Sequence, residues 1–160
     1  MNETVIDEVD RAIINLLQSN ARLSAIDIAS QLNDISPRMI RYRIEKLSQA
    51  GIISFTTIVH TKALGYPIQA HVFLRCESAQ ILNVVQQLIK FDQVTCARVV
   101  TGNQDVIITV IARSVEDFNK ILLKEIQQLP GIHQTETHIV LEEYKDVYQW
   151  KIPDQDVKED

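Results

Sequence analysis

The apolar residues of this chain change their spacing once, and that change constrains the fold more than any other feature. Up to Gly51 they recur every three or four positions, as on one stripe of a helix. From Ile68 onward they alternate, as on one face of a strand. A chain of 160 residues with this order of signals is expected to be α+β, with a small helical domain first and a sheet domain second.

The helical part divides into three segments. Asp7 is placed to cap a helix carrying Val9, Ile13, Leu16 and Leu17, which Asn20 and Ala21 end. Ser24, with Asp27 three residues on, has capping-box spacing and opens a second helix with Ile28, Ala29 and Leu32 on its apolar face. After a polar turn at NDIS, Ser36 caps a third helix with Pro37 at its first position, where a missing N–H costs nothing. Ile40, Ile44 and Leu47 form its buried stripe and Gly51 stops it. Two short helices joined by a tight turn and braced by another match a helix-turn-helix. The segment IISFTTIVH, running on to Gly65-Tyr66-Pro67, reads as a strand or hairpin followed by a hinge.

Beyond Ile68 the pattern gives a strand in IQAHVFLRC and a helix from Ala79 to Phe91 with Ser78 as cap. Strands in VTCARVV and DVIITVIA follow, then a helix from Ser114 to about Leu129 with Asp117 at capping-box spacing, and a last strand in IHQTETHIVL. The order βαββαβ is the ferredoxin-like arrangement. The expected division is 1–53 for the helix-turn-helix domain, 54–66 for a linker strand and hinge, 67–143 for the sheet domain and 144–160 for a polar acidic tail.

One strand reaches beyond fold. In DVIITVIA both alternating sets, Val106/Ile108/Val110 and Ile107/Thr109/Ile111, are largely apolar. Two helices cover one face of a four-stranded sheet, and an uncovered apolar face is unfavourable in water. Burying each such side chain is worth roughly 1.5–3 kcal/mol, so a second copy of the chain is the expected cover.

The third helix is the chemically distinctive element. Arg38, Arg41, Arg43 and Lys46 lie within nine residues of a chain whose net charge is −5, and only Glu45 opposes them. With the apolar stripe inward, Arg38, Arg41 and Tyr42 point outward, while Arg43 and Lys46 lie on the flanks. Recognition helices place their N-terminal residues in the major groove, where arginine pairs with guanine or clamps phosphate. Ser36 and the free N–H groups around Pro37 suit a phosphate oxygen. The expected DNA-contact set is Ser36, Pro37, Arg38, Arg41, Tyr42, Arg43 and Lys46, presented twice by a symmetric dimer. The pI near 5.3 argues against nonspecific coating of nucleic acid but leaves a local basic face intact.

Cys76 and Cys96 lack CxxC spacing and read as buried small hydrophobes, in keeping with a reducing cytoplasm. The acidic N-terminus does not read as a signal peptide, and no apolar run is long enough for a membrane span. His60, His71, His133 and His138 form no ligand spacing. No catalytic residue, metal or cofactor is expected.

Taken in order and spacing, DEVDRAIINLLQSNARLSAIDIASQL, SPRMIRYRIEKLSQAGII, VVTGNQDVIITVIA and QTETHIVL resemble the Lrp/AsnC (feast/famine) transcriptional regulators over nearly the whole chain. The resemblance implies an N-terminal winged helix-turn-helix domain, a linker strand, and a ferredoxin-like effector and dimerisation domain. It further implies dimers that assemble into tetramers or octamers, with amino-acid effectors bound between dimers. Carried onto this chain, the effector residues are Thr101, Gly102, Asn103, Gln104 and Asp105, faced by Thr135, Glu136 and Thr137. The chemistry suits that ligand: Gly102 admits close backbone approach, turn N–H groups hold a carboxylate, and Asp105 or Glu136 accepts from an ammonium group. The same turn also reads as a plain hairpin connection with Asp105 capping the strand. Many relatives carry an aromatic residue where this chain has Gln104; with glutamine there, the site either selects a more polar effector or binds nothing. Asn33-Asp34 replaces a glycine often found in the helix-turn-helix, and asparagine tolerates the left-handed conformation.

Three rival readings stand beside the regulator. Siroheme decarboxylases share the architecture but carry a histidine and aromatic residues where this chain has GNQDVIITV, which argues against tetrapyrrole chemistry. An interaction module that has lost DNA is opposed by the arginine cluster. A global DNA-binding regulator without an effector is the third.

Overall fold

The computed structural model describes residues 6–32, 35–150 and 152. The chain divides into two compact units between Thr57 and Ile58, and the described residues from Tyr144 onward group with the first.

The first unit holds α1 (Glu8–Ser19), α2 (Ala25–Gln31) and α3 (Pro37–Gln49). Each begins where the sequence supplies a side-chain oxygen for the free N–H groups of its first turn. Asp7 and Ser24 form full capping boxes with Asp10 and Asp27. Ser36 accepts from the Met39 N–H at 3.3 Å. Ile13, Leu17, Ile28 and Ile40 close into one core, with Ile44 packed against it. The turn residues Asn33 and Asp34 lie outside the described residues.

Residues 54–60 correct an expectation. They form no ladder, and their side chains are exposed, Phe55, Ile58 and Val59 among them. A strand requires a neighbour to take its N–H and C=O groups, and among the described residues none lies alongside. A 3₁₀ turn at Thr61–Leu64 follows, closed by Gly65 at φ 86°.

The second unit is a four-stranded antiparallel sheet of β1 (Ile68–Cys76), β2 (Val94–Val99), β3 (Val106–Ala112) and β4 (Ile132–Ile139), in the order β2-β3-β1-β4. Helices α4 (Ile81–Leu88) and α5 (Val115–Lys124) complete the ferredoxin-like fold. Ala70, Val72, Leu74, Val106, Ile108, Val110 and Ala112 bury one sheet face against Val84, Leu88, Phe118, Ile121, Leu122 and Ile126.

Both helices are shorter than expected. Ser78 opens a 3₁₀ turn and does not cap α4; the entry is tied by the backbone, with the Glu77 N–H on the Gly131 carbonyl at 2.8 Å. Ser114 does cap α5, but Asp117 accepts from the Arg113 N–H at 3.1 Å, one residue outside a capping box. A further 3₁₀ turn, Ile126–Gln128, separates α5 from Leu129.

The opposite sheet face carries the second apolar set. Register aligns Ile107 with Phe73 and then Glu136, and Thr109 with His71 and then His138. Ile107, Ile111, Phe73 and His71 are half-buried, and none of them belongs to the core that α4 and α5 cover. Phe73 and the His138 ring meet edge to face, with centroids 5.1 Å apart.

Candidate DNA-contact helix and effector turn

In α3 the buried stripe is Ile40 and Leu47, which fixes the outward face. That face presents Arg38, Arg41, Tyr42 and Lys46, all exposed, with Met39 beside them. Glu45 is engaged by the Gln49 amide at 3.2 Å. Among the described residues Arg38, Arg41 and Lys46 join no ion pair, so they carry charge that no carboxylate neutralises. Ser36 and Pro37 stand at the start of the helix, beside its free N–H groups.

Arg43 does not belong with them. Its Nη1 lies 2.6 Å from an Asp7 oxygen and 2.8 Å from an Asp10 oxygen, and its side chain is only 25% exposed. This guanidinium is turned toward the start of α1 and clamps α1 to α3, so it is withdrawn from the DNA-contact set. The Asp7 carboxyl is held below its ordinary range, first by the Asp10 N–H and then by Arg43. The two aspartates in turn raise Arg43, Asp10 most. Its Nε is buried without a partner.

Replacing Arg43 with alanine is expected to destabilise the helical unit by about 1–2 kcal/mol at neutral pH, since Asp7 is half-exposed and part of the attraction is screened by water. Asp7 has a depressed folded-state pKa, so its contribution is complete above the ordinary value of 3.8 and is lost as pH falls through the lower folded value. Urea unfolding from about pH 6 down to about pH 3 should therefore show the gap between native and variant narrowing in acid.

The expected effector turn is held to β1 at several points. The Asp105 N–H donates to the Leu74 carbonyl at 2.9 Å, and an Asp105 carboxylate oxygen accepts from the Cys76 N–H at 2.8 Å. That bond sits where the β1–β4 register shifts, between Arg75 and Cys76. One Asp105 oxygen is therefore spent on the fold. Burial, and next the Asp105 charge, push the Cys76 thiol up. Gly102 has φ 121°, which a side chain rarely adopts. Thr101, Gly102 and Asn103 are exposed, and Gln104 is half-buried with a carbonyl oxygen that has no partner.

The facing segment does not join this turn within one chain. Leu74 pairs with Val106 on one side and Thr135 on the other, so β1 separates them by about two strand spacings, roughly 10 Å. Thr135 accepts from the Gln127 amide at 2.6 Å. Glu136, on the opposite sheet face from Thr135 and Thr137, lies 2.9 Å from His138. An open hollow of about 430 Å³ on α5, lined by Ser114, Asp117, Lys120 and Leu123 among others, includes none of these residues.

Sequence reasoning missed Arg75. Its Nε and Nη2 both donate to the Asn103 carbonyl, at 3.3 and 3.1 Å. A charged residue near the end of a mainly apolar strand was the available signal. Among the described residues no cluster of three or more His, Cys, Asp or Glu could hold a metal.

Residues 6–54 match a family profile described as winged helix-turn-helix DNA-binding, and residues 69–150 match the Lrp/AsnC ligand binding domain. The regulatory protein AsnC of Escherichia coli K12 is 36% identical over 144 residues, 89% of this chain and 94% of its own. An uncharacterized HTH-type transcriptional regulator of Pyrococcus horikoshii is 32% identical, over 84% of this chain and 85% of its own. The structure of Escherichia coli AsnC superposes with a TM-score of 0.82 at 35% identity, covering 89% of this chain and 96% of that one. A Neisseria meningitidis transcriptional regulator in complex with L-Met has the same fold, with a TM-score of 0.82 at 21% identity, covering 89% and 94%.

Proposed function

The chain belongs to the Lrp/AsnC family of transcriptional regulators, and on that premise we propose that paired copies hold an operator through α3 while an amino acid or related metabolite at the 101–105 turn modulates that hold. It is a DNA-binding regulator with a ligand-binding domain, rather than an enzyme. The observation that carries the DNA contact is the outward face of α3. Three cations stand there without a carboxylate partner, while the fourth, Arg43, holds the helix in place.

Ser36, Pro37, Arg38, Arg41, Tyr42 and Lys46 are the proposed contacts. Dimers form through the sheet face of Phe73, Ile107 and Ile111, and they assemble further into tetramers or octamers. Thr101–Asp105 of one copy and Thr135–Thr137 of a neighbour then complete the effector site, which explains why one chain alone leaves the two segments apart. A ligand bound there shifts DNA affinity by favouring one assembly over another. The L-Met complex of the Neisseria relative supports an amino acid as the ligand class. The protein works in the cytoplasm. Among the described residues no helix is long and apolar enough to cross a membrane.

The engagement of Asp105 by the Cys76 N–H favours a second reading, in which the turn is structural and the regulator needs no effector. A mobility-shift titration against promoter fragments tests the main one. The native protein is expected to select a fragment at low salt and to lose about 100-fold or more in affinity on moving to moderate salt, because each counterion that a phosphate contact releases gains less entropy in a saltier solution. Equal binding to every fragment, or no salt dependence, contradicts it.

A further inference from the structure

We propose that Arg75 anchors the carboxylate of the effector and that Gln104 reads its side chain, so that the ligand is an amino acid ending in an amide or hydroxyl group. This inference rests on the 101–105 turn being the effector site, and it adds a residue and a ligand class to that reading.

Arg75 is exposed and lies where β1 ends against the turn. Two of its five N–H donors meet the Asn103 carbonyl, which fixes the plane of the guanidinium against the turn. The other donors remain for a ligand. Among the described residues no ion pair neutralises this arginine, and the nearby Asp105 carboxylate is bonded instead to the Cys76 N–H. A guanidinium fixed in this way is organised in advance for the two oxygens of a carboxylate. The turn itself is open at Gly102, where a built Cβ would meet nothing within 4 Å.

Gln104 sets the second requirement. Its side-chain oxygen is buried and accepts no hydrogen bond, an arrangement that is unfavourable until a donor arrives. The α-ammonium of an amino acid forms stronger bonds with a carboxylate than with a neutral amide. Glu136 from a neighbouring copy supplies that carboxylate in the assembly proposed above. The Gln104 oxygen is left for a neutral donor, which a side-chain amide or hydroxyl provides and a hydrocarbon side chain does not.

The test is calorimetric titration of the full chain with a panel of L-amino acids. Asparagine, glutamine, serine and threonine should bind at least tenfold tighter than leucine, valine or methionine. Arg75→Gln should weaken every ligand roughly tenfold or more, with Arg75→Lys between it and the native protein. Gln104→Leu should erase the preference for polar ligands while leaving apolar ones equal or tighter. A native protein that binds apolar and polar amino acids alike, or an Arg75→Gln variant that binds as well as native, overturns this inference and leaves the effector site standing. A blank across the whole panel overturns this inference and, with it, the amino acid as the ligand class of the turn.

Discussion

Arg38→Ala combined with Arg41→Ala is expected to abolish operator recognition, weakening it at least about 1,000-fold without unfolding the protein. Each arginine that pairs with a base edge discriminates by roughly 1–3 kcal/mol, and a dimer presents four such side chains. Even the lower bound sums to about 4 kcal/mol, close to three powers of ten in affinity. The fold should not notice. Both side chains are exposed and neither joins an ion pair among the described residues, so thermal unfolding should stay within a degree or two. Arg43→Ala gives the opposite signature, with stability falling first and DNA binding only through it. A double variant that binds its operator like the native protein would remove α3 from the interface.

The second large effect lies on the sheet. Phe73→Asp should split the dimer, because it puts a carboxylate next to Glu136 in the Ile107–Phe73–Glu136 row. A buried phenylalanine contributes roughly 1.5–3 kcal/mol, and a two-fold interface counts each change twice. The dissociation constant should rise by about 100-fold or more, before like-charge repulsion is added. Sedimentation at micromolar concentration should find monomers with native circular dichroism. Operator affinity should fall in parallel, since one recognition helix makes too few contacts to hold a site. A Phe73→Asp protein that remains dimeric would place the interface elsewhere.

How much of this could be read from residue order depends on how local the cause is. Asp7, Ser24, Ser36 and Ser114 each bond an N–H three residues away, and all four helix starts were legible. The strands of the second unit were legible because alternation is a property of neighbours. What stayed hidden needs two distant segments to meet. Arg43 looks like its basic neighbours until α1 is known to bring Asp7 within reach, 36 residues earlier. Asp105 looked available to a ligand until Cys76, 29 residues away, claimed one of its oxygens. Arg75 gained meaning only from the Asn103 carbonyl across the turn. The stretch from Ser54 to His60 has strand composition, but a strand is made by its partner.

The most direct measurement is a hydroxyl-radical footprint of the native protein on its operator. Two protected tracts should lie on one face of the duplex, their centres one helical turn of about 34 Å apart or a whole multiple of it. Both should vanish together in the Arg38→Ala/Arg41→Ala protein. A single tract, or protection that survives the double substitution, would contradict two copies of α3 gripping the DNA.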